Sequence, residues 1–386
     1  MKKLAASMDR ILGEGAFEVL AKAKALEREG REVLHFEIGE PDFETPENIA
    51  DAGIKAIKEG KTHYVPSDGI TELKEAVCEH ILKTRGYRPD VEQVLILPGV
   101  KPGIYFSMVS ILEPKDEVIF QDPSFPTYRS LVRYIGAKEV PIPLLEENEF
   151  RMSPEDIKER ITEHTKLIII NSPQNPTGSV LTKREVEEIA EIAEEHDIFL
   201  LSDEIYSQMT YGVEHYSATK RDEARERSIL LDGFSKAYAM TGWRLGYCIA
   251  PKKLIEKMTL LLINAVSCTA PFVQIAGIEA LRGPQHSLKE MMNKFAERRN
   301  AIVEGLNSIK GFSCLYPAGA FYAFPNIKAT GMNSRELADL LLYEAGVAVL
   351  PGTAFGEAGE GYLRFSYATS VETIERAIER IKSALH

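Results

Sequence analysis

SILLDGFSKAYAMTGWRLGY, residues 228–247, decides the reading of the fold. It opens as a short apolar run of the kind that fills a sheet buried on both faces. It then sets Ser235, Lys236 and Arg244 in a segment otherwise small or apolar, with no acidic residue between the two cations. A lysine directly after a buried strand stands at the mouth of the sheet, where loss of water lowers its pKa. An amine poised in that way can form a Schiff base with a carbonyl. Arg244 reads as a fixed cation for a phosphate, whose oxygens match its planar fork. The competing reading of Lys236 is an ordinary solvated surface charge.

Outward from this stretch, EVIFQDP (117–123), KLIIINSP (166–173) and IFLLSDEIY (198–206) repeat the pattern of short buried strands. Helices with legible starts lie between them. Ser153-Pro154-Glu155-Asp156 supplies a cap, a proline and two acids, and Thr182 with Glu185 forms a capping box. Such alternation predicts an α/β fold with a mainly parallel central sheet and helices on both faces. Ligands of these sheets collect beyond the carboxyl ends of the strands. Asn171 to Asn175, then Asp203 and Tyr206, then Lys236 all fall there.

Asn175, in NSPQNPTG, offers a hydrogen bond from a turn. Asp203 is an acid at a buried strand end and needs a partner; a protonated ring nitrogen would supply one. In LPGVKPG (97–103) the backbone N–H groups of Val100 and Lys101 follow a glycine at a helix start, either an anion site or a plain turn. GKT at 60–62 is not a P-loop, since position 55 is Lys.

The strand–helix alternation ends near residue 284. HSLKEMMNKFAERRNAIVEGLNSI (286–309) reads as one long helix leading into a smaller α+β domain. That domain contains GAFYAFPNI, YLRFSYA and a helix running from Asn333 to Gly346. The expected division is 45–284 for the large domain, with 1–44 joining 285–386 in the small one.

Lys and Arg total 46 against 58 Asp and Glu, a formal charge of −12, which argues against nucleic acid or an anionic membrane as partner. It leaves room for a small anion held by a few cations. No run is apolar over the ~18 residues of a membrane span, and no signal-type segment opens the chain. The four cysteines form no CxxC pair and read as reduced core thiols of a cytoplasmic protein. The histidines lack metal-ligand spacing, so no metal is expected. High Glu, Lys and Arg with few Asn and Gln accords with a thermophilic source.

Together, FEIGEPDF (36–43), NPTG, SDEIY, GFSKAYAMTGWRLG and YLRFSYA resemble, in order, the class I/II aminotransferases, fold-type I enzymes that use pyridoxal 5′-phosphate. The resemblance implies that Lys236 forms the Schiff base with the cofactor and shuttles the substrate proton. It implies that Asp203 keeps the pyridine nitrogen protonated, and that Asn175 and Tyr206 bond the ring oxygen. Phe125 would stack on the ring, while Arg244, the amides of Val100 and Lys101, and Ser235 would hold the phosphate. Some of the family carries a phosphate-binding serine where this chain has Gly233.

Arg364 would grip the substrate α-carboxylate opposite the Gly39 backbone, drawing the two domains together. Tyr64 would reach the phosphate of a neighbouring subunit, making a homodimer. Lys101 either reads a distal carboxylate, favouring aspartate or glutamate with 2-oxoglutarate, or serves the phosphate or faces solvent. Phe17, Phe125 and Tyr322 could equally floor an aromatic pocket. An alanine-type aminotransferase, a carbon–sulfur β-lyase and a non-catalytic regulator are the alternative activities on this fold.

Overall fold

Apolar, β-branched runs form the strands because their side chains pack on both faces of a pleated surface. In the computed structural model, which describes residues 4–222 and 226–385, twelve strands form. They are β1 (Leu34–His35), β2 (Val94–Leu97), β3 (Glu117–Asp122), β4 (Lys138–Pro143), β5 (Thr165–Asn171) and β6 (Phe199–Asp203). They continue as β7 (Ser228–Gly233), β8 (Gly246–Ile249), β9 (Tyr322–Ala323), β10 (Val347–Ala348), β11 (Leu350–Pro351) and β12 (Leu363–Ser366). Seven make one sheet in the order β2-β8-β7-β6-β5-β3-β4. Only β8 runs against its neighbours, so all the other carboxyl ends lie on one edge.

The four runs read from sequence as buried strands correspond to β3, β5, β6 and β7. The expectation of a mainly parallel α/β fold holds. β2, β4 and β8 were not singled out: β2 and β8 are only four residues long, and β4, KEVPIP, carries two charges and two prolines in place of an apolar run. Period-two alternation divides the core: Leu167 and Ile169 of β5 face one apolar cluster, Ile168 and Ile170 the other. The helix starts read from sequence at Ser153, Thr182 and Asn333 are capped, Ser153 accepting from the Asp156 amide, Thr182 from that of Glu185 and Asn333 from that of Glu336.

A separate cluster gathers Phe36, Phe295, Phe321, Tyr322, Phe365 and Tyr367, and Tyr206 from beyond β6 joins it. Around it β11-β12-β9 form an antiparallel sheet, and β1 pairs in parallel with β10, Leu34 opposite Val347. The N-terminal segment thus hydrogen-bonds to a strand more than 300 residues further along the chain. The helix His286–Asn307 runs against the terminal helix Val371–Ala384.

One close approach fixes the sheet edge. Gly233 and Gly246 are cross-strand partners on β7 and β8. A Cβ on Gly233 would meet the Gly246 Cα at 2.9 Å, and one on Gly246 would meet the Val100 amide nitrogen at 2.9 Å. The missing side chain at 246 therefore lets the start of the helix Val100–Ile111 press onto the strands, and the one at 233 lets the two strands approach there. Gly246→Ala is expected to cost about 1–3 kcal/mol through overpacking, read as a lowered Tm. Gly242→Ala, in open space, should shift the Tm little; equal effects would show that the contact does not matter.

Candidate active site

The carboxyl edge of the sheet opens on a cavity of about 350 Å³. β5 and β6 deliver Asn171 and Asp203 directly. The turns after β6 and β7 deliver Tyr206, Ser235 and Lys236. Across the opening β12 delivers Arg364, and the segment after β1 delivers Gly39.

Asp203 is buried, and among the described residues its hydrogen-bond partners are neutral. The Tyr128 hydroxyl donates to it at 2.6 Å and the Ile205 amide at 3.3 Å. Burial pushes its carboxyl up to about 6, against the pull of these donors. Lys236 Nζ donates to the Gly39 carbonyl at 2.5 Å. Burial brings that amine down to about 8 against the pull of the Glu40 charge, and the positive charges of Arg364, Arg244 and Lys101 push the same way as burial. The turn after β7 thus sets an amine near neutrality at the cavity floor.

Arg364 is buried without a carboxylate partner among the described residues. It donates to the Glu37 carbonyl and, at 3.2 Å, to Asn175 Oδ1, and its Nε has no partner. The guanidinium lies between the rings of Tyr322 and Phe355, 4.7 and 4.9 Å from their centroids. Burial lowers its pKa. An unmatched, desolvated fork of this kind is a receptor for a carboxylate.

A second set of groups suited to an anion lines the same cavity. Gly99, with φ of 95°, precedes the helix Val100–Ile111, so the first amides of that helix point outward. A Cβ on Gly99 would run into the Arg244 guanidinium. Arg244 itself is exposed and donates to the Thr241 carbonyl at 2.6 Å. Val100, Ser235 and Arg244 all line the cavity.

Of the residues singled out from sequence, Lys236, Asp203, Tyr206, Asn175, Gly39, Val100, Lys101, Phe125, Ser235, Arg244 and Arg364 line this one cavity. Tyr64 does not; it is 87% exposed on the surface of the chain. Lys101 is not an isolated ammonium, because Glu14 pairs with it. Tyr128 was missed, since a tyrosine in the helix Pro126–Ile135 reads as core until its hydroxyl is traced to Asp203. Tyr322, seen only as an aromatic, also shares a 2.7 Å hydroxyl–hydroxyl bond with Tyr206. Among the described residues no cluster of potential metal ligands occurs and no helix is long and apolar enough to cross a membrane. All four cysteines are free; Cys78, Cys248 and Cys314 are buried, while Cys268 is only partly so.

Residues 31–381 match the sequence profile of the family described as aminotransferase class I and II. An aspartate aminotransferase of Pyrococcus horikoshii is 46% identical over 95% of this chain and 93% of its own. An aromatic-amino-acid aminotransferase of Thermococcus litoralis is 43% identical over 92% of each. The solved structure of an aspartate aminotransferase from Thermus thermophilus with maleate superposes with a TM-score of 0.95 at 36% identity, covering all of both chains. A desolvated amine, a raised carboxyl and an unmatched arginine converge where these enzymes share their fold, and the chain belongs to the class I and II aminotransferase family, as a transaminase.

Proposed function

We propose that this transaminase uses pyridoxal 5′-phosphate to exchange amino groups between an acidic L-amino acid, aspartate or glutamate, and 2-oxoglutarate in a ping-pong cycle. The observation that carries the cofactor reading is Asp203, a buried carboxylate with hydroxyl and amide partners but no cation among the described residues. A pyridinium N–H is the partner such a group lacks. The helix start at Val100, with Ser235 and Arg244, fits a phosphate dianion, and the Lys236 amine fits an aldehyde.

When bound, the pyridine ring supplies an electron sink for the pair left at the substrate Cα. The chain's own residues do the rest. Arg364 binds the α-carboxylate, and the Tyr322 and Phe355 rings keep water from its faces. Lys236 Nζ takes the Cα proton and, with the cofactor in place, would deliver it to the carbon of the cofactor's aldehyde group rather than back to Cα. Tyr206 and Asn175 are assigned the ring oxygen, and Phe125 the ring face. Substrate held by Arg364 joins residues 1–44 and 285–386 to residues 45–284, favouring closure.

Ile54 and Ile57, both exposed, line a depression beside Arg244, and Ile11, Leu12 and Val266 line another. We read this edge as covered by a second copy of the chain, whose Tyr64 completes the phosphate site, in a cytoplasmic homodimer. The acidic-donor reading is supported by the similarity to aspartate aminotransferases. A neutral aromatic donor is the second reading, favoured by Phe17 and Phe125 in the lining and by the pairing of Lys101.

Single-turnover reactions of the holoenzyme with aspartate, glutamate, alanine and phenylalanine test the donor class. Spectral bleaching fastest with the acidic pair, reversed by 2-oxoglutarate, is expected. Faster bleaching with phenylalanine would replace that reading with the aromatic one. Below about 8 the Lys236 amine is protonated and cannot attack; above it the amine is free. Uptake of pyridoxal phosphate by the apoenzyme should therefore accelerate with pH and level off above about 8. A rate still climbing toward 10.5, the ordinary lysine value, would contradict the desolvated site.

A further inference from the structure

We infer that Glu14 sets side-chain selectivity by holding Lys101 in a neutral pair across the cavity mouth. An acidic side chain reaches the ammonium only by displacing the Glu14 carboxylate, whereas a neutral one leaves the pair closed. The inference rests on the reading of the cavity as an amino-acid transaminase site.

The charge inventory of the cavity leads to it. Lys236, Asp203 and Arg244 are committed to the cofactor and Arg364 to the α-carboxylate. Glu40 accepts from the Thr241 hydroxyl. Lys101 and Glu14 are the charged lining residues left over, and they are paired with each other. Glu14 Oε1 also faces the Thr127 hydroxyl at 3.4 Å, and Lys101 Nζ lies 5.2 Å from the centre of the Phe125 ring.

The pair joins distant parts of the chain. Glu14 immediately precedes the helix Gly15–Arg28, which leads to β1; Lys101 is in the first turn of the helix that follows β2. Lys101 presents its ammonium at the opening, its side chain 46% exposed against 25% for Glu14. A distal carboxylate arriving there gains the ammonium but meets the Glu14 charge. The Glu14 side chain makes no capping bond to its own helix, so its neutralisation leaves the helix start intact.

Holoenzymes of wild type, Glu14→Gln, Lys101→Gln and the double variant decide the matter. Each is titrated spectrally with succinate and with 3-phenylpropionate, which bind without reacting, and assayed with aspartate and phenylalanine. Glu14→Gln is expected to raise the succinate to 3-phenylpropionate affinity ratio about tenfold, the effect of one part-buried charge interaction. Lys101→Gln should lower it by a similar factor, and the double variant should match Lys101→Gln. An unchanged ratio in Glu14→Gln, or the full gain in the double variant, overturns the proposal. If no amino acid is turned over, the transaminase reading of the site fails instead, while the two titrations still judge Glu14.

Discussion

Arg85 and Arg364 are both buried, and the difference between their surroundings organises this molecule. Arg85 lies between carboxylates, 3.1 Å from Glu204 and 2.5 Å from Asp232, with Ser207 accepting at 2.9 Å. Burial works against the Glu204 carboxylate, but His215 and Arg85 outweigh it and hold it down to about 2. That network ties the end of β6 to β7, and its charges are paired with one another. On the cavity side Arg364, Lys236 and Asp203 make no ion pair among the described residues, although the Glu40 charge acts on Lys236 from a distance. The displacements of Asp203 and Lys236 each correspond to on the order of 3 kcal/mol of unanswered charge burial, more than a typical hydrogen bond returns. A cofactor bearing an aldehyde and a basic ring nitrogen, together with a substrate bearing a carboxylate, would recover that cost.

The same constraint explains why the two halves of the structure meet where they do. Phe36 is fixed to both small sheets: its amide donates to Ala348 and its carbonyl accepts from Ser366, at 2.9 and 2.8 Å. The next residues then turn their carbonyls into the cavity, Glu37 toward Arg364 and Gly39 toward Lys236. Gly39 has no Cβ, and one there would run into the Tyr322 hydroxyl. A four-residue segment thus serves both cations, and any motion between the halves of the chain is felt at both.

Much of this was legible in the sequence because the chemistry sits at strand ends. Asp203 and Lys236 could be placed from the apolar runs before them, and the helix start at Val100 from the glycine before it. Arg364, Tyr206 and Phe125 gained their roles from resemblance, since nothing local distinguishes them from structural residues. Tyr128 and Glu14 escaped altogether. A tyrosine on an amphipathic helix looks like packing, and the partner of Glu14 is 87 residues away. Lys101 shows the limit plainly: sequence reveals a cation near a phosphate loop, while only the fold reveals that it is already neutralised. β2 and β8 were missed because four residues carry too little pattern apart from the sheet that holds them, and β4 because two charges and two prolines interrupt its apolar run.

The account depends on the amine at position 236 being the attachment point for the cofactor. Borohydride reduction of the holoenzyme, followed by proteolysis and mass spectrometry, tests this directly. A single phosphopyridoxyl adduct on Lys236 is the expected result. An adduct confined to another lysine, or none after reconstitution with pyridoxal phosphate, would contradict it.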